Sequence, residues 1–127
     1  MAGLRLDGRT AVVTGAGGNP SRGRAHALLL AQLGANGVVN DIGPKAETPN
    51  YPYPASAEAV AEEIRAAGGK AMADTNSVAT VEGAEGIIQT ALDAFGSIDI
   101  LVNNAAFSIT ALFEALTAYL PADRVAV

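Results

Sequence analysis

Short apolar, β-branched runs alternate along this chain with longer stretches of helical spacing. Thr10-Ala11-Val12-Val13-Thr14 ends in glycines and predicts a buried strand. From Gly23 to Leu33 the spacing turns helical, with Leu29 and Leu33 at i, i+4, Leu30 beside them and Gly34 as the stop. Gly37-Val38-Val39-Asn40-Asp41 predicts a second strand that ends in an acid. Pro44, Pro49, Pro52 and Pro54 make residues 42–55 a surface loop. Ser56 caps a helix to Ala67 with Val60 and Ile64 on one face, and Gly68-Gly69 ends it. Lys70-Ala71-Met72-Ala73-Asp74 predicts a third strand of weak propensity, with Asp74 a plain strand-end position. Thr80 caps a helix to Phe95 whose stripe is Ala84, Ile87, Ala91 and Phe95, and Gly96 ends it. Ile98–Asn103 predicts the fourth and strongest strand, and Thr117 caps a last helix with Pro121 in its tolerated first turn.

The order βαβαβαβ implies an α/β fold with a parallel sheet covered on both faces. Right-handed crossovers give a doubly wound strand order of 3-2-1-4. With no repeat, linker or low-complexity tract, residues 1–127 read as one domain, in keeping with roughly 100–200 residues per domain.

Composition narrows the function classes. Half the residues are apolar and 17% are charged, as in a globular chain. Eight Lys and Arg against 13 Asp and Glu give net −5, which argues against nucleic-acid and anionic-membrane partners. The absence of cysteine excludes disulfides, thiolate metal sites and cysteine nucleophiles in this chain. No run approaches the ~18 apolar residues of a membrane span. Arg5, Asp7 and Arg9 interrupt any signal-peptide core, so a cytoplasmic location is expected. No metal-ligand spacing is present. His26, the one histidine, reads as a helix-face residue.

The chemistry is concentrated where the first strand meets the first helix. The turn from Thr14 through Gly15, Gly17 and Gly18 to Ser21, Arg22 and Gly23 has the context of a phosphate-binding loop. Glycines let backbone approach a pyrophosphate, and a helix N-terminus offers unpaired N–H groups with partial positive charge. A plain βα loop also uses glycine for positive φ, so the turn alone has two readings. Asp41 follows at roughly the 20-residue spacing of a ribose-binding acid, although it could instead cap a turn before Gly43. Turn and acid together favour a dinucleotide. A carboxylate at that place repels a 2′-phosphate, favouring NAD over NADP, with Arg22 the one residue arguing the other way.

Four segments resemble the short-chain dehydrogenase/reductase family: Thr14–Gly18 with Gly23-Arg24-Ala25, Val38–Asp41, Asn76-Ser77-Val78, and Asp99–Ala106. The likeness runs from about Leu6 to Val127 and is nearest to members acting on hydroxyacyl thioesters and related secondary alcohols. It implies a Rossmann-type fold, here the N-terminal half, and assigns roles by position. Gly15, Ser21, Arg22 and Gly23 would wrap the pyrophosphate, and Asp41 would hold the adenosine ribose. Asn76, where the family usually has Asp, would meet the adenine with Ser77 following. Asn103 would bond the sheet and line the cleft, with Asn104 and Ala105 beside it. The chain departs from the main-branch pattern in a longer turn before Gly23 and in Ala106 replacing the final glycine of its motif.

The resemblance also implies a catalytic Tyr followed four residues later by Lys, with a Ser that orients the substrate. Tyr51, Tyr53 and Tyr119 are followed at that distance by Ala55, Ala57 and Asp123, and the lysines are Lys45 and Lys70. No catalytic residue is therefore assigned in 1–127. Tyr51 and Tyr53 read as loop packing or as a lid over the adenine. The expectation is the N-terminal half of an NAD-dependent dehydrogenase about twice this length, inactive alone. In full it would act on a small-molecule substrate and form a homo-oligomer. The alternatives are a non-catalytic nucleotide-binding or interaction module, and a truncated reading frame with no function.

Overall fold

In the computed structural model, which describes residues 3–43 and 56–106, helices alternate with parallel strands. The elements are β1 (Thr10–Val13), α1 (Arg22–Gln32), β2 (Asn36–Asn40), α2 (Ala57–Ala66), β3 (Ala71–Asp74), α3 (Val81–Phe95) and β4 (Ile100–Val102). The strands form one sheet in the order β3-β2-β1-β4, every pair parallel, as the alternation predicts. Val12 pairs with Val38 on one side and Leu101 on the other. The predicted loop with Pro44, Pro49, Pro52 and Pro54, the residues Lys45, Tyr51, Tyr53 and Tyr119, and the predicted helix at Thr117 lie outside the described residues.

Side chains alternate across a strand, so adjacent valines serve opposite layers. Val13 and Val39 pack with Ala27 of α1 and with Val60, Ala61 and Ile64 of α2. Val12 and Val38 pack with Ile87 and Ala91 of α3, backed by Phe95 and Ile98. Both faces of β1 are buried, which explains why its sequence is an unbroken apolar run.

Three expectations are corrected. The buried face of α1 is Gly23 and Ala27, while Leu29 is 45% exposed. Small residues let the helix lie close on the sheet, and Leu28, Leu30 and Ala31 pack partly buried beside them. In α3 the inward stripe is Gly83, Ile87 and Ala91, at i, i+4 and i+8, and Ala84 is exposed. The strand β4 is shorter than its sequence suggests. Asp99 turns its carboxylate onto the Thr10 N–H at 2.8 Å, and Ile98 packs beneath α3.

Ser56 and Thr80 cap α2 and α3 as their positions suggest, and Ser21 caps α1. The side chains of Ser21, Ser56 and Thr80 accept from the amides of Arg24, Ala59 and Gly83 at 3.0 Å. Gly96, at φ +78°, closes α3 in the left-handed conformation. Thr80→Ala should therefore lower stability by about 1 kcal/mol and Thr80→Ser by little, read from urea unfolding midpoints. No helix among the described residues is long and apolar enough to cross a membrane.

Candidate functional site

The chain leaves β1 in one direction for β2 and meets β4 on its other side, so a crevice opens beyond the carboxyl ends of the strands. A cleft of about 330 Å³ lies there. The turn after β1 supplies Gly15, and the start of α1 supplies Ser21 and Arg22. Asn40, Asp41 and Ile42 come from the end of β2, Ser77, Val78 and Ala79 from beyond β3, and Asn104, Ala105 and Ala106 from beyond β4. A wider hollow of about 640 Å³ lies at the opposite end of the sheet, edged by the last residues of α1 and by Arg5 and Asp7. Those two charges already satisfy each other at 2.7 Å.

The glycine turn is held by its neighbours on both sides. Gly15 has φ +64°, and a Cβ there would lie 2.8 Å from the Ala105 Cα. The Asn104 amide donates to the carbonyls of Thr14 and Gly15 at 3.1 and 3.0 Å. The Thr14 hydroxyl oxygen accepts from the N–H groups of Asn104 and Ala105, both at 3.1 Å. On the far side, Asp41 is 5% exposed. It accepts from the Gly17 N–H at 2.9 Å with one oxygen and from the Gly43 N–H at 2.8 Å with the other. Each oxygen keeps lone-pair capacity for a further donor. The amide of Ser56 donates to the Gly17 carbonyl at 2.9 Å, so α2 also starts from this turn.

Behind the wall stands a second buried acid. Asp74 is 5% exposed and accepts from Asn40, Thr90, and both the backbone and side chain of Asn76. Burial is the largest single influence on its pKa and raises it. The hydrogen bonds from Thr90, the Asn76 backbone, Asn40 and the Asn76 side chain together outweigh burial and hold the carboxyl below its ordinary value. A depressed folded-state pKa stabilises the protein above the unfolded value of about 3.9, and that contribution is lost as pH falls through the folded value. Urea midpoints taken from pH about 5 to about 2.5 should fall, and Asp74→Asn should lose less over the same span.

Of the residues singled out in the sequence, Gly15, Ser21, Arg22, Asp41, Ser77, Asn104 and Ala105 line the cleft. Gly23, Asn76 and Asn103 are not among the residues that line it. Gly23 is buried beneath the turn, where α1 crosses Gly15 and Asn104. The Asn76 amide is turned onto Asp74 and lies against Gly86 of α3. Asn103 is exposed, and the bonds to the turn after β1 are made by Asn104, one residue on. Asp74 is no plain strand end. Its burial, and the lining positions Asn40, Ile42, Val78, Ala79 and Ala106, went unread in the sequence. Asn40 did carry a signal, a polar residue closing an apolar strand.

The family model described as short chain dehydrogenase matches residues 9–125. The chain belongs to the short chain dehydrogenase family. The chain is 53% identical over 102 residues to peroxisomal multifunctional enzyme type 2 of Drosophila melanogaster, covering 80% of this chain and 16% of that one. The crystal structure of a short chain dehydrogenase from Mycobacterium avium superposes with a TM-score of 0.69 at 50% identity, over 83% of this chain and 35% of that one. A 7α-hydroxysteroid dehydrogenase complexed with NADH and 7-oxo glycochenodeoxycholic acid gives 0.66 at 36% identity, over 82% and 36%. The chain thus spans about a third of these solved relatives and about a sixth of the fly enzyme.

Proposed function

We propose that this chain forms the NAD-binding part of an oxidoreductase that moves hydride between NAD(H) and a secondary alcohol or ketone. One observation carries the reading. The cleft sets the Asp41 carboxylate on one wall and the glycine turn with the start of α1 on another, a polar frame suited to a dinucleotide. The Arg24 amide is taken by the Ser21 cap, so the amides that precede it at the start of α1 would receive the pyrophosphate. The remaining lone pairs of Asp41 would accept the ribose hydroxyls, and Ile42 and Val78 would give the base an apolar flank. Asn104 holds the floor of the cleft by fixing the Thr14 and Gly15 carbonyls. When bound, the nicotinamide supplies the hydride acceptor or donor. The hydroxysteroid relative, held with NADH and a 7-oxo compound, supports a hydroxyl/carbonyl pair as the substrate class. The substrate of the whole protein, its acid–base groups and its assembly as a homo-oligomer belong to the same proposal.

The test is calorimetric titration of the purified protein with NAD and NADP. NAD should bind at least about tenfold more tightly, because a 2′-phosphate would lie against the Asp41 carboxylate. Asp41→Asn should shrink that ratio. The ratio is the quantity to read, since weakening the bonds to Gly17 and Gly43 lowers both affinities alike. Binding of neither nucleotide, or an unchanged ratio in the variant, would defeat the proposal and favour an interaction module.

A further inference from the structure

We propose that Asp74 is a positioning residue for the nucleoside end of the cleft, locking the turn from Asn76 to Ala79 against the end of β2. Its functional meaning rests on the dinucleotide reading above, while the positioning itself does not. Ser77, Val78 and Ala79 form one wall of the cleft, and Asn40 and Asp41 form the adjoining one. The two walls meet through Asp74. One carboxylate oxygen accepts from the Asn40 side chain at 2.8 Å and the Asn76 N–H at 2.9 Å. The other accepts from the Asn76 side chain at 2.8 Å and the Thr90 hydroxyl at 2.7 Å. Asn40, 2% exposed, also donates to the Asn76 carbonyl at 2.8 Å, and the Asp41 N–H donates to the Asp74 carbonyl at 3.0 Å. Strand end, turn and α3 are thus tied to a single carboxylate.

Side-chain chemistry explains why a carboxylate stands there. Every partner of its two oxygens is a donor, and only an acceptor-only group satisfies them all without rearrangement. None of the ion pairs among the described residues includes Asp74, so neutral dipoles alone balance its charge. The glycines of α3 complete the arrangement. A Cβ at Gly86 would lie 2.8 Å from Asn76, and one at Gly83 would strike the Ser77 carbonyl, so both glycines let the turn settle on the helix.

The geometry also supplies a rescue. In Asp74→Asn an amide nitrogen faces the Asn76 amide nitrogen. Exchanging the pair, Asp74→Asn with Asn76→Asp, restores complementarity. The new Asn accepts from Asn40 and the backbone of residue 76 and donates to the new carboxylate and to Thr90, whose hydroxyl turns to the Gly86 carbonyl it already reaches at 3.0 Å.

The experiment measures amide hydrogen exchange and NAD affinity on the full chain for wild type, Asp74→Asn and the exchanged pair. Asp74→Asn should speed exchange at residues 76–79 and weaken NAD binding, each by about tenfold or more, with the amides of α1 unchanged. The exchanged pair should return both to within about threefold of wild type. Unchanged exchange at 76–79, unchanged NAD affinity, or an exchanged pair no better than the single variant would each overturn the proposal. If Asp74→Asn does not fold, the exchanged pair decides alone: wild-type behaviour supports the proposal and failure to fold overturns it. Should wild type bind no NAD while the exchange pattern holds, the positioning stands and the dinucleotide reading falls.

Discussion

Gly23→Ala should cost about 3 kcal/mol of stability and abolish nucleotide binding at the concentrations wild type needs. The added Cβ would stand 2.5 Å from both the Gly15 carbonyl oxygen and the Asn104 amide nitrogen, and 2.8 Å from the Ala16 Cα. Two of these three neighbours are backbone. The third cannot swing aside, because it holds the Thr14 and Gly15 carbonyls. Relief requires α1 to lift from the sheet, which opens the Ala27 contact and moves the helix N-terminus away from the turn. Gly37→Ala is the matched control: its Cβ would meet only the Lys70 carbonyl, at 3.9 Å, and the change should stay within about 0.5 kcal/mol. Urea unfolding and NAD titration on both variants check this, and a Gly23→Ala midpoint equal to wild type would remove the close approach from the account.

The second large effect is expected at Asn104. Asn104→Asp replaces a double donor with a charged acceptor about 3 Å from two carbonyl oxygens, at a cost of about 3 kcal/mol or more near neutral pH. Asn104→Ala removes the donors without the repulsion. The open cleft lets water reach the freed carbonyls, so about 1–2 kcal/mol is expected there. The pair differs in pH behaviour. The introduced carboxyl can donate only when protonated, so folding raises its pKa. Its penalty is smallest below the unfolded value of about 3.9 and grows as pH rises through the folded one. Unfolding midpoints at pH about 4, 5.5 and 7 should separate Asn104→Asp progressively from Asn104→Ala. Parallel curves for the two variants would show that charge plays no part.

The sheet order was legible because hydrophobic period, caps and glycine stops agree at nearly every element. Ser56, Thr80 and Gly96 each do at the helix ends what their chemistry suggests. Where reading failed, the reason was local. Leucine outweighs alanine in any hydrophobicity count, yet the fully buried positions of α1 are Gly23 and Ala27, with Leu28 and Leu30 only partly buried beside them, because the turn demands close approach at the helix start. At the site, the residues nearest the glycine turn were found. Asn104, expected beside Asn103 at the cleft, also makes the bonds to the turn after β1, because period alone does not say which of two adjacent amides reaches it. Asp74 was missed since nothing in a sequence tells a solvated strand end from one enclosed by donors contributed from residues 40, 76 and 90.

The order β3-β2-β1-β4 has a consequence for the growing chain on the ribosome. β1 can take one neighbour as soon as Asn40 exists, but its other edge waits for a partner far downstream. Thr10 and Asp99, which clasp at the base of that edge, are 89 residues apart. During that interval an apolar strand with open hydrogen-bonding groups is a template for the wrong chain, so this is the window in which chaperone cover matters most. Synonymous slow codons placed before residue 100 should lower the soluble yield more than the same codons placed after it.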